Sequence, residues 1–306
     1  MGVLEGKVAV VTGAGRGLGR AHAIALAKEG ARVVVNDFGV SADGQGRDES
    51  AGRGVVEEIK AFGGEAVTHF GDVADWNDSK GMIETAVKAF GDFHILVSNA
   101  GFLRDKMFFS MSEADFDAVI RVHLKGHFCG MRHAAEYLRN KAKADGGQVY
   151  GRLLSTASEA ALFFDPGQPN YSAAKAGIIA VTNSAAQALI RVGVTANTFM
   201  PRARTAMTST GPSAQFFQKP ETGFDAFDPA HTSPLVCWLA SPAAANVSGN
   251  VFIVWGKEIT VLGPPTKAAT YHATEAWSVA EVGKHVGRHF EGKLPIKDSF
   301  IMPNNF

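Results

Sequence analysis

Tyr171 opens the run Tyr-Ser-Ala-Ala-Lys that closes at Lys175, and Ser158 stands upstream of it. In a helix, residues four apart share a face, so the phenol and the ammonium would project into one space. A free tyrosine titrates near pH ~10, and a fixed cation beside it favours the phenolate and draws that value down. Ser158, ahead of the helix at what reads as a strand end, would hydrogen-bond a substrate oxygen while charge moves through it. Together the three form a proton-transfer site for alcohol and ketone chemistry. Tyr-x-x-x-Lys by itself also fits a tyrosine packed on a helix start and a solvated lysine, so the weight comes from the elements around it.

Those elements alternate. A short β-branched run at residues 8–11 meets Thr12-Gly-Ala-Gly-Arg-Gly-Leu-Gly19, and residues 20–28 then carry a helical alanine and leucine pattern that stops at Gly30. Further strands are expected at residues 32–36, 66–70, 94–98, 151–155, 195–199 and 251–254, with helices between them, one at 55–62. Continuous apolar strands alternating with helices predict an α/β fold: a doubly wound, Rossmann-type parallel sheet with helices on both faces. Two segments break the pattern, a polar glycine-rich insert at 38–54 and a connection at 207–229 that holds Phe216, Phe217, Phe224 and Phe227. Gly263-Pro-Pro265 marks a boundary. Residues 1–263 therefore read as one catalytic domain, and 264–306 as a docked tail with one short helix, capped by Ser278 and Glu281 and striped by Val279, Val282, Val286 and Phe290.

The first turn predicts a dinucleotide site. Gly13, Gly17 and Gly19 stand where a strand hands over to a helix whose first amides can face a pyrophosphate, and Leu18 lies among them. Asp37 ends the second strand, where a carboxylate can accept both adenosine ribose hydroxyls and repel a 2′-phosphate, which favours NAD over NADP. Arg16, inside the turn, is either a phosphate partner or a solvated turn residue. Asp72, with Val73, follows the third strand as an adenine contact or a turn cap. Asn99, Ala100 and Gly101 follow the fourth, small residues that let backbone approach a cofactor, although Asn99 equally suits a tie between strands.

Bulk composition sets outer limits. The 306 residues are 46% hydrophobic and 20% charged, ample for a core. Lys plus Arg and Asp plus Glu each number 30, so no basic field invites nucleic acid or an anionic membrane. No run approaches the ~18 apolar residues that span a bilayer. Cys129 and Cys237 sit in apolar surroundings with no metal or redox spacing, which suits buried, reduced thiols in a cytoplasmic protein and predicts no metal.

With these residues in register, the chain resembles the short-chain dehydrogenase/reductase family over about residues 4–262, through Thr12 to Gly19, Asp72, Asn99-Ala-Gly101, Ser158, Tyr171 to Lys175 and Pro201. The resemblance implies a nicotinamide cofactor, with Ser158 as polariser, Tyr171 as acid/base, and Lys175 as ribose binder and tuner. It also implies that Pro201 and Thr205 lie beside the nicotinamide, and that the chain forms a homodimer or homotetramer. A closer likeness is to the dehydrogenase unit of the peroxisomal multifunctional β-oxidation enzyme and to bacterial hydroxysteroid and 3-hydroxyacyl-CoA dehydrogenases. It rests on the insert, on Arg121-Val-His-Leu-Lys-Gly126 and on Pro201-Arg-Ala-Arg-Thr-Ala-Met-Thr208. Two departures stand out. His123 occupies the place of a family asparagine, as a relay group or as a plain core residue, and Arg202 replaces a common glycine.

The expected function is NAD(H)-dependent interconversion of a secondary alcohol and a ketone on a bulky apolar small molecule. Phe102, Phe163, Phe164 and the phenylalanines of 207–229 line the pocket or simply pack the core; Arg104, Lys106, Arg202 or Lys219 could meet the phosphates of an acyl-CoA. Two rivals are an NADPH-dependent 3-oxoacyl thioester reductase and a nucleotide-binding sensor or scaffold without turnover.

Overall fold

The computed structural model describes residues 2–40, 44, 46–209 and 214–297; parts of the glycine-rich insert and of the 207–229 connection, and the end of the tail, lie outside the described residues. The chain divides into two units, Met1–Leu262 and Gly263–Phe306. In the first, strands β1 (Val8–Thr12), β2 (Arg32–Asn36) and β3 (Ala66–His69) alternate with helices α1 (Gly17–Lys28), α2 (Ser50–Ala61) and α3 (Trp76–Phe90). Next come β4 (Ile95–Ser98), α4 (Glu113–Ile120), α5 (Gly126–Ala144), β5 (Gly151–Thr156), α6 (Ala160–Phe163), α7 (Pro169–Leu189) and β6 (Val194–Pro201). Helix α8 (Ser233–Ala240) and the hairpin β7 (Val251–Trp255) and β8 (Glu258–Leu262) complete the unit. The second unit holds α9 (Val279–His285), whose Ser278 and Glu281 form the expected reciprocal capping box.

The strands make one sheet in the order β3-β2-β1-β4-β5-β6-β7-β8, parallel except for the last pair. Side chains alternate across it: Val8 and Val10 enter the core against α3, α5 and α7, and Ala9 and Val11 the core against α1, α2 and α8. Two covered faces explain why β1 is buried at every position and reads as a continuous apolar run. Chain order reverses between β1 and β4, and a crevice opens at the carboxyl ends of the strands there.

Two expectations shift. Helix α2 begins at Ser50, not 55, because Asp48 accepts the Ser50 amide at 2.9 Å and Gly52 lets the helix approach the Phe70 ring. Strand β8 was not expected; Gly256 and Lys257 turn the chain so that Phe252 faces Val261 and Val254 faces Ile259.

Burial also places histidines where charge is costly. His22 on α1, hydrogen-bonded through Nδ1 to the Ser233 hydroxyl at 3.0 Å, and His127 on α5 are both pushed down to about 3 by desolvation. An unfolded histidine titrates near 6.5, so the unfolded chain binds more protons between pH 6.5 and about 3, and stability falls as pH drops through that window. Taking the chain from pH 7 to pH 5 should cost about 2 kcal/mol for each of the two residues. Urea midpoints measured at both values test this, and an unchanged midpoint refutes it.

Candidate active site

The turn from β1 into α1 explains its glycines. Gly13 takes φ +61°, and a side-chain carbon there would sit 2.8 Å from the Ala100 backbone; one at Gly19 would lie 2.1 Å from the Gly13 carbonyl. The close approach draws α1 against the strand end, and Gly19 works by permitting it, since it does not line the crevice. Arg16 caps α1 without a side-chain hydrogen bond to its first amides, whereas Asp75 and Ser112 cap α3 and α4. The open amide end faces a cavity of about 360 Å³ lined by Gly13, Arg16, Gly17, Leu18, Asp37 and Thr205 on one side. Asp72, Val73, Asn99, Ala100 and Gly101 line the other. The glycine cradle, the uncapped helix end and the acidic residue at the second strand fit a dinucleotide.

The polar residues around the cavity are themselves anchored. Asp37 accepts the Gly15 amide on Oδ2 at 2.7 Å and the Gly39 amide on Oδ1 at 2.8 Å. A carboxylate offers about four acceptor positions, so two remain for ligand hydroxyls. Arg16 reaches Asp48 of the insert at 3.4 Å, an exposed pair. Asp72 caps a turn through the Ala74 amide at 2.8 Å and binds Arg121 at 2.6 Å. Asn99 ties strands together: its amide donates to Thr12 Oγ1 at 2.9 Å, its Nδ2 to the Thr12 carbonyl at 3.2 Å, and its Oδ1 accepts from Thr156 at 3.3 Å.

Beyond the cavity the structure gathers the three reactive side chains. Pro169 starts α7, with Tyr171 in its first turn and Lys175 one turn on, the ammonium 5.4 Å from the phenol ring centre. Lys175 is buried and donates to the Thr156 carbonyl, at the end of β5, at 2.7 Å. Ser158 follows that strand, and its hydroxyl is near enough to the phenol to favour the ionised form. Burial pushes the phenol up to about 12; the Ser158 hydroxyl opposes this and the nearby Asp105 adds to it. Desolvation brings Lys175 down to about 7. The expected lowering of the phenol by its lysine is thus overturned for the chain alone, because desolvation drives both groups towards their neutral forms.

His123 sits on a π turn, Arg121–Lys125, that joins α4 to α5. Its ring meets Tyr171 edge-on at 5.2 Å, and its Nε2 lies 2.8 Å from the Phe102 carbonyl and 3.1 Å from the Phe102 amide. Burial holds it well below its ordinary value, hence neutral, and its Nδ1 has no hydrogen-bond partner. Gly101 gives it room; a side-chain carbon there would stand 2.0 Å from the imidazole. Pro201 ends β6 and does not line the cavity.

Three contributors escaped the sequence reading. Asn170, fully buried, donates to the carbonyls of Arg104 and Asp115, both at 3.1 Å, and accepts the Tyr171 amide at 2.7 Å. It pins the start of α7; its place beside Tyr171 was the only signal available. Asp105, held by Gln168 at 2.9 Å, is itself pushed up by burial. Glu159 pairs with Arg202 through two bonds, at 2.6 and 2.7 Å. Among the described residues no group of three or more His, Cys, Asp or Glu side chains is placed to hold a metal, and no helix is long and apolar enough to cross a membrane.

Fold and site together define an oxidoreductase that interconverts secondary alcohols and ketones with a nicotinamide cofactor. The short chain dehydrogenase family matches residues 7–215, and the chain belongs to that family. It is 46% identical to the hydroxyacyl-CoA dehydrogenase ChsB1 of Mycobacterium tuberculosis, covering 95% of this chain and 91% of that one. It is 38% identical to the mouse peroxisomal multifunctional enzyme type 2, covering 80% of this chain but only 31% of that protein. A short chain dehydrogenase structure from Mycobacterium avium aligns with TM-score 0.84 at 46% identity, covering 96% of this chain and 98% of that one.

Replacing Tyr171 by Phe should keep dinucleotide binding, read by fluorescence titration, while turnover drops roughly 10²- to 10⁴-fold; an active Phe variant ends the assignment. Because burial keeps the phenol neutral well beyond pH 10, kcat/KM for alcohol oxidation should climb from pH 7 to 10 while that for ketone reduction stays level over the same range. A flat pair of profiles between pH 7 and 10 would contradict it.

Proposed function

We propose that the chain is an NAD(H)-dependent dehydrogenase of hydroxyacyl-CoA substrates, with the alcohol oxygen held between Ser158 and Tyr171. The observation that carries the cofactor choice is the Asp37 carboxylate at the end of β2, fixed by the Gly15 and Gly39 amides. Its remaining acceptor positions suit ribose hydroxyls, and its charge opposes a 2′-phosphate. Arg16, the one feature favouring NADP, is drawn towards Asp48.

Bound along the cavity, the cofactor would supply the hydride acceptor and, when oxidised, a positive ring. The chain supplies the proton chemistry. Tyr171 takes the hydroxyl proton in oxidation and returns it in reduction; Ser158 donates to the substrate oxygen as negative charge develops there. Lys175, positioned by the Thr156 carbonyl, binds the ribose and favours the phenolate whenever it is protonated. His123, neutral and packed on the phenol, holds the ring in place and offers Nδ1 to a proton path. Phe102 is buried and lines the cavity, which offers an apolar acyl chain an aromatic contact, whereas Phe227, stacked on Trp255 at 5.5 Å, does not line it. Of the cations named for CoA phosphates, Arg202 is committed to Glu159 and Arg104 lies 3.7 Å from Asp115, which leaves Lys106 and Lys219, both exposed.

A screen of NAD and NADP against 3-hydroxyacyl-CoAs and hydroxysteroids tests the reading. The highest kcat/KM should come with NAD and an acyl-CoA, and Asp37→Ala should narrow the NAD preference by at least tenfold. Preference for NADPH with a 3-oxoacyl thioester, or for a steroid, would reject the substrate or cofactor assigned here. Cofactor binding with no turnover across the panel would favour the sensor alternative. We also infer a homodimer or homotetramer, supported by membership of the family; a monomeric mass by light scattering at micromolar concentration would refute it.

A further inference from the structure

Ser158 is not held by the strand that delivers it. Strand β5 ends at Thr156, and after Ala157, whose amide bonds the Phe199 carbonyl at 2.8 Å, the chain leaves the sheet. The serine hydroxyl accepts the Ala160 amide at 3.2 Å, a bond within its own loop. Beyond the apolar packing of Ala157 and Ala161, a polar tether from that loop to the residue after β6 comes from the next side chain. Glu159 meets Arg202 in a two-pronged pair, Nε to Oε2 at 2.6 Å and Nη2 to Oε1 at 2.7 Å, with side-chain exposures of only 11% and 17%. Two parallel bonds between planar groups fix orientation as well as distance.

Arg202 is in turn fixed from two further directions. Its amide donates to the Val254 carbonyl at 3.1 Å, locking it to β7. Its guanidinium lies 5.2 Å from the Trp255 ring centre. That indole stacks on Phe227, which packs on Phe217 at 4.9 Å. Two residues on, Arg204 donates its amide to the Phe227 carbonyl at 2.7 Å and pairs with Asp225. The pair therefore connects the loop carrying Ser158 to the aromatic segment expected to border the substrate.

We propose that Glu159 and Arg202 are positioning residues that set the Ser158 hydroxyl relative to the substrate-bordering segment, so that order in that segment is transmitted to the oxygen-binding site. The inference rests on Ser158 acting as the substrate-oxygen donor. A glycine at position 202 would leave the serine loop without this tether. Displacement of a reacting group by about 1 Å can cost on the order of a hundredfold in rate, so a loosened serine should lower kcat more than it weakens dinucleotide binding.

Glu159→Gln, Arg202→Gln, the double Gln variant, the exchanged pair Glu159→Arg with Arg202→Glu, and Ser158→Ala are compared for kcat, substrate KM, NADH affinity by fluorescence and thermal midpoint. The expectation is a ten- to hundredfold fall in kcat for each single Gln variant with NADH affinity within twofold of the parent. The double variant should be no worse than the poorer single, and the exchanged pair should recover part of the loss. Parental kcat in the single variants, additive losses, or an equal loss of NADH affinity overturns the proposal. If the exchanged pair fails to melt cooperatively, the Gln series still decides. Ser158→Ala separates the two readings: if it retains turnover, the serine assignment falls and the pair's role with it; if only the Gln variants retain turnover, the pair's role alone falls.

Discussion

The structure turns on one buried amine. Lys175 lies in a low-dielectric interior with the Thr156 carbonyl as its hydrogen-bond acceptor, so its charge is expensive and its value drops to about 7. The same desolvation holds Tyr171 in its neutral form, and at neutral pH it leaves Lys175 only partly charged. The fold must keep both poised, and it does so by making a strand end and a helix start converge: β5 supplies the carbonyl, and α7 supplies phenol and amine one turn apart. Asn170 clamps that helix start to the Arg104 loop and to α4 at once.

The sheet explains why cofactor cavity and proton site adjoin. Reversal of strand order between β1 and β4 leaves a crevice at their carboxyl ends, where the glycine turn and the Asn99 to Gly101 segment face each other. Asn99 holds the crevice's shape by bonding to Thr12 and Thr156, so three neighbouring strands share one side chain. Its contribution is dimensional: it sets how far apart the two walls stand.

What was legible in the sequence was local. The glycine turn, the acidic end of β2, the Tyr-x-x-x-Lys face and seven of the strands follow from spacing and apolar runs that need no knowledge of distant partners. What was not legible depends on contacts between remote residues. The Glu159 and Arg202 pair joins positions far apart in the chain, Asp72 finds Arg121 at the cavity edge, and β8 is a strand only because β7 gives it a partner. The direction of the Tyr171 shift belongs to the same class, since burial is a property of the assembled core and no neighbour in sequence announces it. The start of α2 was missed for a smaller reason: Gly52 and Gly54 read as loop, yet one of them is small because a helix passes close to Phe70.

The π turn at Arg121–Lys125 has a consequence for phase. One additional residue in a helical register rotates everything after it by about 100°. Along α5, His127, Met131, Ala134 and Leu138 are buried, and the last three pack in the core on their side of the sheet. They meet that core only with the wider turn in place. A lineage that shortened the segment by one residue would regularise the helix and, in the same stroke, swing this face away from the sheet and withdraw the imidazole from the phenol. Insertions and deletions here should therefore be far rarer than substitutions, a constraint imposed by helical geometry and independent of which alcohol the enzyme oxidises.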